Sequence, residues 1–80
     1  MEKEAHLGMT DWSKNVDKVY KLYLKEHHSG AGYQVISKYG RRYNTLTTHD
    51  KTKGPVPYGT ANTMYNNLLH SKLSKGYEYE

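Results

Sequence analysis

Two runs of strand-like alternation, joined by a glycine-bearing loop, constrain this chain more than any other feature. From Lys18 to Lys25, Tyr20, Leu22 and Leu24 point one way, and Val19, Lys21, Tyr23 and Lys25 point the other. The first set is expected to face a core and the second solvent. Glu26 to Gly32 then reads as a hairpin loop, longer than the tightest kind. The second run, Tyr33 to Tyr39, puts Tyr33, Val35, Ser37 and Tyr39 on one face and Gln34, Ile36 and Lys38 on the other. Neither of its faces is cleanly apolar. That suits a sheet covered by a helix on one side and used for something else on the other.

A third strand is expected from Tyr43 to Thr48, where threonines 45, 47 and 48 supply β-branched residues. His49 to Pro57 reads as a long polar connection, in which Pro55 and Pro57 exclude helix. A helix is predicted to begin near Thr60, with the threonine as its cap, and to stop at Gly76 in a left-handed cap. Ala61, Met64, Tyr65, Leu68, Leu69 and Leu73 fall in one stripe at helical spacing, which should lie on the sheet. The expected fold is therefore α+β: a small antiparallel sheet of three to four strands with one C-terminal helix packed on it. Residues 1–16 read as a flexible leader, because Leu7, Met9 and Trp12 are scattered among polar residues without an evident period. Trp12 is expected to fold back on the domain edge. Residues 17–80 form the single domain.

A chain of 80 residues has a thin core, and here only 35% of residues are hydrophobic. Nine tyrosines and no phenylalanine suit half-buried sheet faces, since each ring carries a hydroxyl that must stay wet or bonded. Without cysteine there is neither a disulfide nor a thiolate metal site. The net charge of +4 favours polyanions as partners. Apolar runs are too short for a membrane span, and the charged opening Met1-Glu2-Lys3-Glu4 carries no secretory signal. The expectation is a soluble intracellular protein, in cytoplasm or nucleoid, with no membrane partner and a monomer by default.

Five histidines invite a catalytic or metal reading, yet no two stand at the i, i+4 spacing of a helical zinc site. His49-Asp50 lacks the clustered carboxylates that hold catalytic magnesium, and no Gly-rich phosphate loop or Ser-His-Asp order is present. The sequence reads as a binding module rather than an enzyme, with no cofactor and no metal.

The candidate binding stretch is Lys38-Tyr39-Gly40-Arg41-Arg42-Tyr43. Gly40 lets the backbone turn sharply or a ligand come close, while a ring beside a guanidinium suits a sugar or base face next to a phosphate. The same six residues also suit an ordinary hairpin corner with solvated charges. Lys51 and Lys53, beside Thr52, can meet phosphates or simply be solvated loop residues. Lys72 projects into the middle of the helix's apolar stripe, where an unpaired ammonium is costly. Its stem snorkels to the edge, or its charge meets a carboxylate or a phosphate.

The order of these elements, with Tyr39-Gly40-Arg41 and the helix ending Lys72-Leu73-Ser74-Lys75-Gly76-Tyr77, resembles the WGR domain. That family is named for a Trp-Gly-Arg tripeptide at the end of its second strand, and the likeness runs from about Asp17 to Tyr79. Tyrosine replaces the family tryptophan, and Tyr43 stands where WGR domains usually have another glycine. WGR domains occur in DNA-break-responsive poly(ADP-ribose) polymerases and in small bacterial proteins. The resemblance implies nucleic-acid binding, DNA before RNA, at ends or nicks. It makes Tyr39 the ring on the sugar, Arg41 the positioning cation and Lys72 a further contact. Charge alone adds Lys38, Arg42, Lys51 and Lys53. With about 3 to 5 phosphate contacts, affinity should be modest and strongly salt-dependent. The alternative is a protein-interaction module that uses the same Tyr/Arg surface on a partner protein.

Overall fold

The computed structural model describes residues 2–80. Five strands form one antiparallel sheet: β1 (Lys3–Asp11), β2 (Val16–Glu26), β3 (Tyr33–Arg41), β4 (Thr47–Asp50) and β5 (Glu78–Tyr79), in the order β4-β3-β2-β1-β5. One helix, α1 (Tyr58–Ser74), packs on a single face, chiefly over β2 and β3. The architecture is the expected α+β one, with a wider sheet than the expected three to four strands.

The additional width comes from the two ends of the chain. The stretch read as a flexible leader is strand β1, paired with β2 along its whole length from Lys3↔Leu24 to Asp11↔Val16. Its signal was present in the sequence. Ala5, Leu7 and Met9 recur every second residue, and Ala5 and Leu7 are buried under the helix. β5 then adds to the far side of β1, pairing Leu7 with Tyr79 and Gly8 with Glu78. Trp12 does not fold back on the domain. It lies on a 3-10 turn (Trp12–Lys14) between β1 and β2, 74% exposed. That turn is held locally, by Ser13 donating from its N–H and its hydroxyl to Asp11 Oδ1.

Leu7, Leu22, Leu24 and Val35 are fully buried on the helix-facing side, closed by Ala61 and Tyr65 from α1. The alternation read from β2 is the observed one, with Tyr20, Leu22 and Leu24 all in the core. From the helix stripe, Met64, Leu68, Leu69 and Leu73 pack at the core's margin. Truncating a central residue, as in Leu22→Ala, should cost about 2–5 kcal/mol.

Two boundaries differ from expectation. The last hairpin strand starts at Thr47 rather than Tyr43, because Tyr43 adopts a left-handed φ of 68° within a turn closed by Asn44 N–H donating to Arg41 O (3.1 Å). A residue in that conformation cannot continue a strand. The helix starts at Tyr58 rather than Thr60, with Pro57 as its extended N-cap. Tyr58 is held there by an edge-on contact with the Tyr33 ring (5.1 Å). At the other end Gly76 (φ 104°) is the left-handed cap. Its N–H donates to Leu73 O (3.2 Å), and that of Tyr77 donates to Lys72 O (3.2 Å), the pair of bonds of a Schellman motif.

Candidate nucleic-acid interface

Where the N-terminal end of β2 meets the C-terminal end of β3, the helix leaves part of the sheet uncovered. A groove of about 640 Å³ opens there, lined by Lys18, Tyr20, Tyr39, Arg41, Lys51 and Lys72 among others. No acidic residue lines it.

The floor is aromatic. Tyr20 and Tyr39 are cross-strand partners, and their rings stack at 6.0 Å with planes 20° apart. Tyr77, just beyond the helix cap, meets Tyr20 edge-on at 6.1 Å. Tyr20 is buried, whereas Tyr39 is 37% exposed and offers its ring to the groove. Burial pushes the Tyr20 and Tyr77 phenols above their ordinary value, so the floor stays uncharged. Beside Tyr20 the Ser37 hydroxyl partly opposes that rise, yet neither hydroxyl has a partner at full hydrogen-bonding geometry.

Four cations rim this floor. Arg41 donates from Nη1 to Asn15 O and from Nη2 to Asn15 Oδ1, both at 3.1 Å. Asn15 reaches that position by ending the 3-10 turn at a left-handed φ of 54°. These partners are neutral, so they fix the guanidinium's direction and leave its charge and remaining donors available. Lys18 is Arg41's direct cross-strand partner. Like charges placed opposite one another are destabilising, and here both line the groove. Lys72 comes from the last turn of α1, where the helix dipole favours a cation, and its Nζ lies 4.7 Å from the Tyr20 ring centroid. Burial, then the charges of Lys75 and Lys51, hold its pKa below the ordinary lysine value. Among the described residues no carboxylate pairs with it. Lys51 enters from the loop after β4, anchored by its N–H donating to Val35 O (2.8 Å).

Of the eight residues singled out from sequence, Tyr39, Gly40, Arg41, Lys51 and Lys72 meet in this groove. Gly40 does not make the sharp turn expected of it but lies inside β3, opposite Val19, and the turn follows at residues 42–46. Its φ is 156°, and a Cβ there would lie 3.3 Å from Leu46 Cδ2. The other three lie elsewhere. Lys38 is on the opposite face, its Nζ 5.9 Å from the Tyr23 ring centroid. Arg42 also faces that side, donating from Nε to Asp17 Oδ1 (2.8 Å) and from its two terminal nitrogens to the Glu80 carboxylate. A guanidinium neutralised by two carboxylates is a structural clamp. Lys53 does not line the groove and sits in a turn organised by Asp50, which accepts from Thr52 Oγ1 (2.8 Å) and from the N–H groups of Thr52 and Lys53. Thr52's hydroxyl is thereby committed to a carboxylate.

Sequence reasoning passed over Lys18, Tyr20, Tyr77 and Asn15. Lys18 and Tyr20 were recoverable, since they share the alternation of Leu22 and lie opposite Arg41 and Tyr39 once β2 and β3 are paired. Asn15 had no signal of its own, because its role depends on a left-handed turn. Among the described residues no cluster of His, Cys, Asp or Glu could hold a metal ion, and no helix is long and apolar enough to cross a membrane.

A family model described as WGR domain matches residues 3–80, so the match includes β1. No curated protein matches the chain, and no solved structure does.

Proposed function

Because the chain belongs to the WGR domain family, whose members are binding modules of nucleic-acid type, we propose that it binds DNA through the groove between β2, β3 and the end of α1. The observation that carries this reading is a set of four cations around a tyrosine floor with no acid among them. Tyr39 stacks on a sugar or base, and Arg41, aimed by Asn15, holds an adjacent phosphate. Lys72 and Lys51 hold phosphates further along the groove. An incoming phosphate relieves the repulsion between Lys18 and Arg41 and gives Lys72 its missing counter-charge. Affinity and the like-charge strain of the free protein then have one origin. The role is binding, not catalysis.

The test is an anisotropy titration of the chain with a 5′-phosphorylated duplex at two salt concentrations, repeated with Tyr39→Ala combined with Arg41→Ala. Wild type should bind with a log–log salt slope of about −0.9 per phosphate contacted. The double variant should lose at least about tenfold in affinity while keeping its circular dichroism spectrum and a cooperative unfolding transition above the assay temperature. Absent or salt-insensitive binding overturns the reading and leaves the Tyr/Arg surface for a protein partner.

A further inference from the structure

We propose that the open face of the sheet, opposite α1, is a second nucleic-acid contact that takes a single-stranded extension of the DNA held in the groove. The proposal rests on the groove reading and adds a second surface with its own residues.

Two independent features of that face cost the fold stability. The first is a pair of lysines. In register across β1, β2, β3 and β4 stand His6, Lys21, Lys38 and Thr48, so Lys21 and Lys38 are direct cross-strand partners. Like charges in that relation repel. Among the described residues neither lysine has a carboxylate within ion-pair distance. The acids of this face stand at its margins, Glu78 on β5 opposite Gly8 and Asp50 on β4 opposite Ile36 among them. Glu4 lies 3.4 Å from His6, and Asp17 and Glu80 are held by Arg42. The arrangement repeats that of Lys18 and Arg41 in the groove.

The second feature is Tyr43. It is 97% exposed and holds a left-handed φ of 68°, a conformation that bulky residues disfavour and turns usually give to glycine or asparagine. Its ring has almost no packing to offset that strain. It lines a hollow of about 480 Å³ with Val19, Lys21, Leu46 and the Arg42–Glu80 pair. A neighbouring hollow of about 390 Å³ is lined by Tyr23, Lys25, Ile36 and Lys38. An exposed ring and an unpaired lysine pair on one surface have the chemistry of a single-strand platform, with bases stacked and phosphates matched to amines. A duplex offers base faces only at its ends, so a single strand fits this surface better. Arg41 and Arg42 are consecutive at the end of β3, so the two surfaces meet where the groove ends.

The experiment compares a blunt 5′-phosphorylated duplex with the same duplex carrying a single-stranded extension of ~8 nucleotides, a length in the range of one small binding module. Wild type should bind the extended form about tenfold more tightly, the worth of one or two stacked bases. Tyr43→Asn, and separately Lys21→Gln with Lys38→Gln, should abolish that gain and leave blunt-duplex affinity within about twofold. Both should raise the unfolding midpoint, since each removes a strain of the free protein. An extension that adds nothing in wild type, or a gain that survives in both variants, overturns the second contact and leaves the groove reading standing. Failure of wild type to bind either duplex removes both.

Discussion

Arg41 and Arg42 are neighbours in sequence with identical side chains, and the fold gives them opposite work. Arg41 faces the helix side, with neutral partners on Asn15 and a lysine across the strand. Arg42 faces the open side, where Glu80 and then Asp17 hold its guanidinium above the ordinary pKa. The clamp joins the β3–β4 turn to β2 and to the chain end beside β5. Glu80 N–H donating to His6 O (2.9 Å) secures that end to β1. A satisfied charge fixes structure; an unsatisfied one, held in place by neutral groups, is available to a ligand.

The contrast breaks most completely at the glycine between Tyr39 and Arg41. Gly40→Ala forces an L residue into a disfavoured φ and presses on Leu46, so stability should fall by about 1–3 kcal/mol. Oligonucleotide binding should fall with it, as chemical denaturation and titration of the same sample would reveal. Retained binding in a destabilised protein would detach Gly40 from the site. Next in size, Arg41→Gln should weaken DNA binding by about 1–3 kcal/mol and make the salt slope shallower by about one contact. Arg42→Gln should leave the slope unchanged and lower the unfolding midpoint instead, most clearly at low salt. An equal loss of slope in both variants would erase the distinction.

Lys72→Met sharpens the comparison, because its two effects have opposite signs. Affinity should drop several-fold, while the fold gains about 0.5 kcal/mol from losing a part-buried, unpaired ammonium. The titration gives the same sign. Lys72 releases its proton in the folded state below the ordinary value of 10.5, so the unfolded chain binds more protons in that window. Stability should therefore rise as pH climbs from the lowered pKa to 10.5, and this rise should be absent in Lys72→Met. The smallest effect belongs to Asp50. Burial pushes its carboxyl up, but the bonds from Thr52 and Lys53 outweigh that and hold it below 3.8. Its contribution is present above that value and is lost as pH falls through the lowered pKa. Asp50→Asn should flatten the acid limb by a few tenths of a kcal/mol and leave DNA binding at pH 7 nearly unchanged.

Much of the molecule was legible before any coordinates. The strand alternations around Leu22 and Val35, the helix stripe and the Gly76 cap are local patterns, governed by backbone geometry over a few residues, and the structure bears them out. β1 was equally local but diluted. Ala5, Leu7 and Met9 keep a period of two, yet alanine and the intervening Gly8 weaken the contrast between its faces. β5 has only two residues and carries no pattern that a sequence could display.

The residues alone determined that a ring, a glycine and two arginines sit together at the end of a strand, and that Lys72 points into an apolar stripe. Only the tertiary structure decided which arginine is spent on structure. The acids that neutralise Arg42 lie 25 and 38 residues away, and strand pairing and the chain's return bring them near. Period-two geometry puts adjacent side chains on opposite faces, but it carries no information about what each face will meet. That depends on where α1 lies and where the chain end is tied.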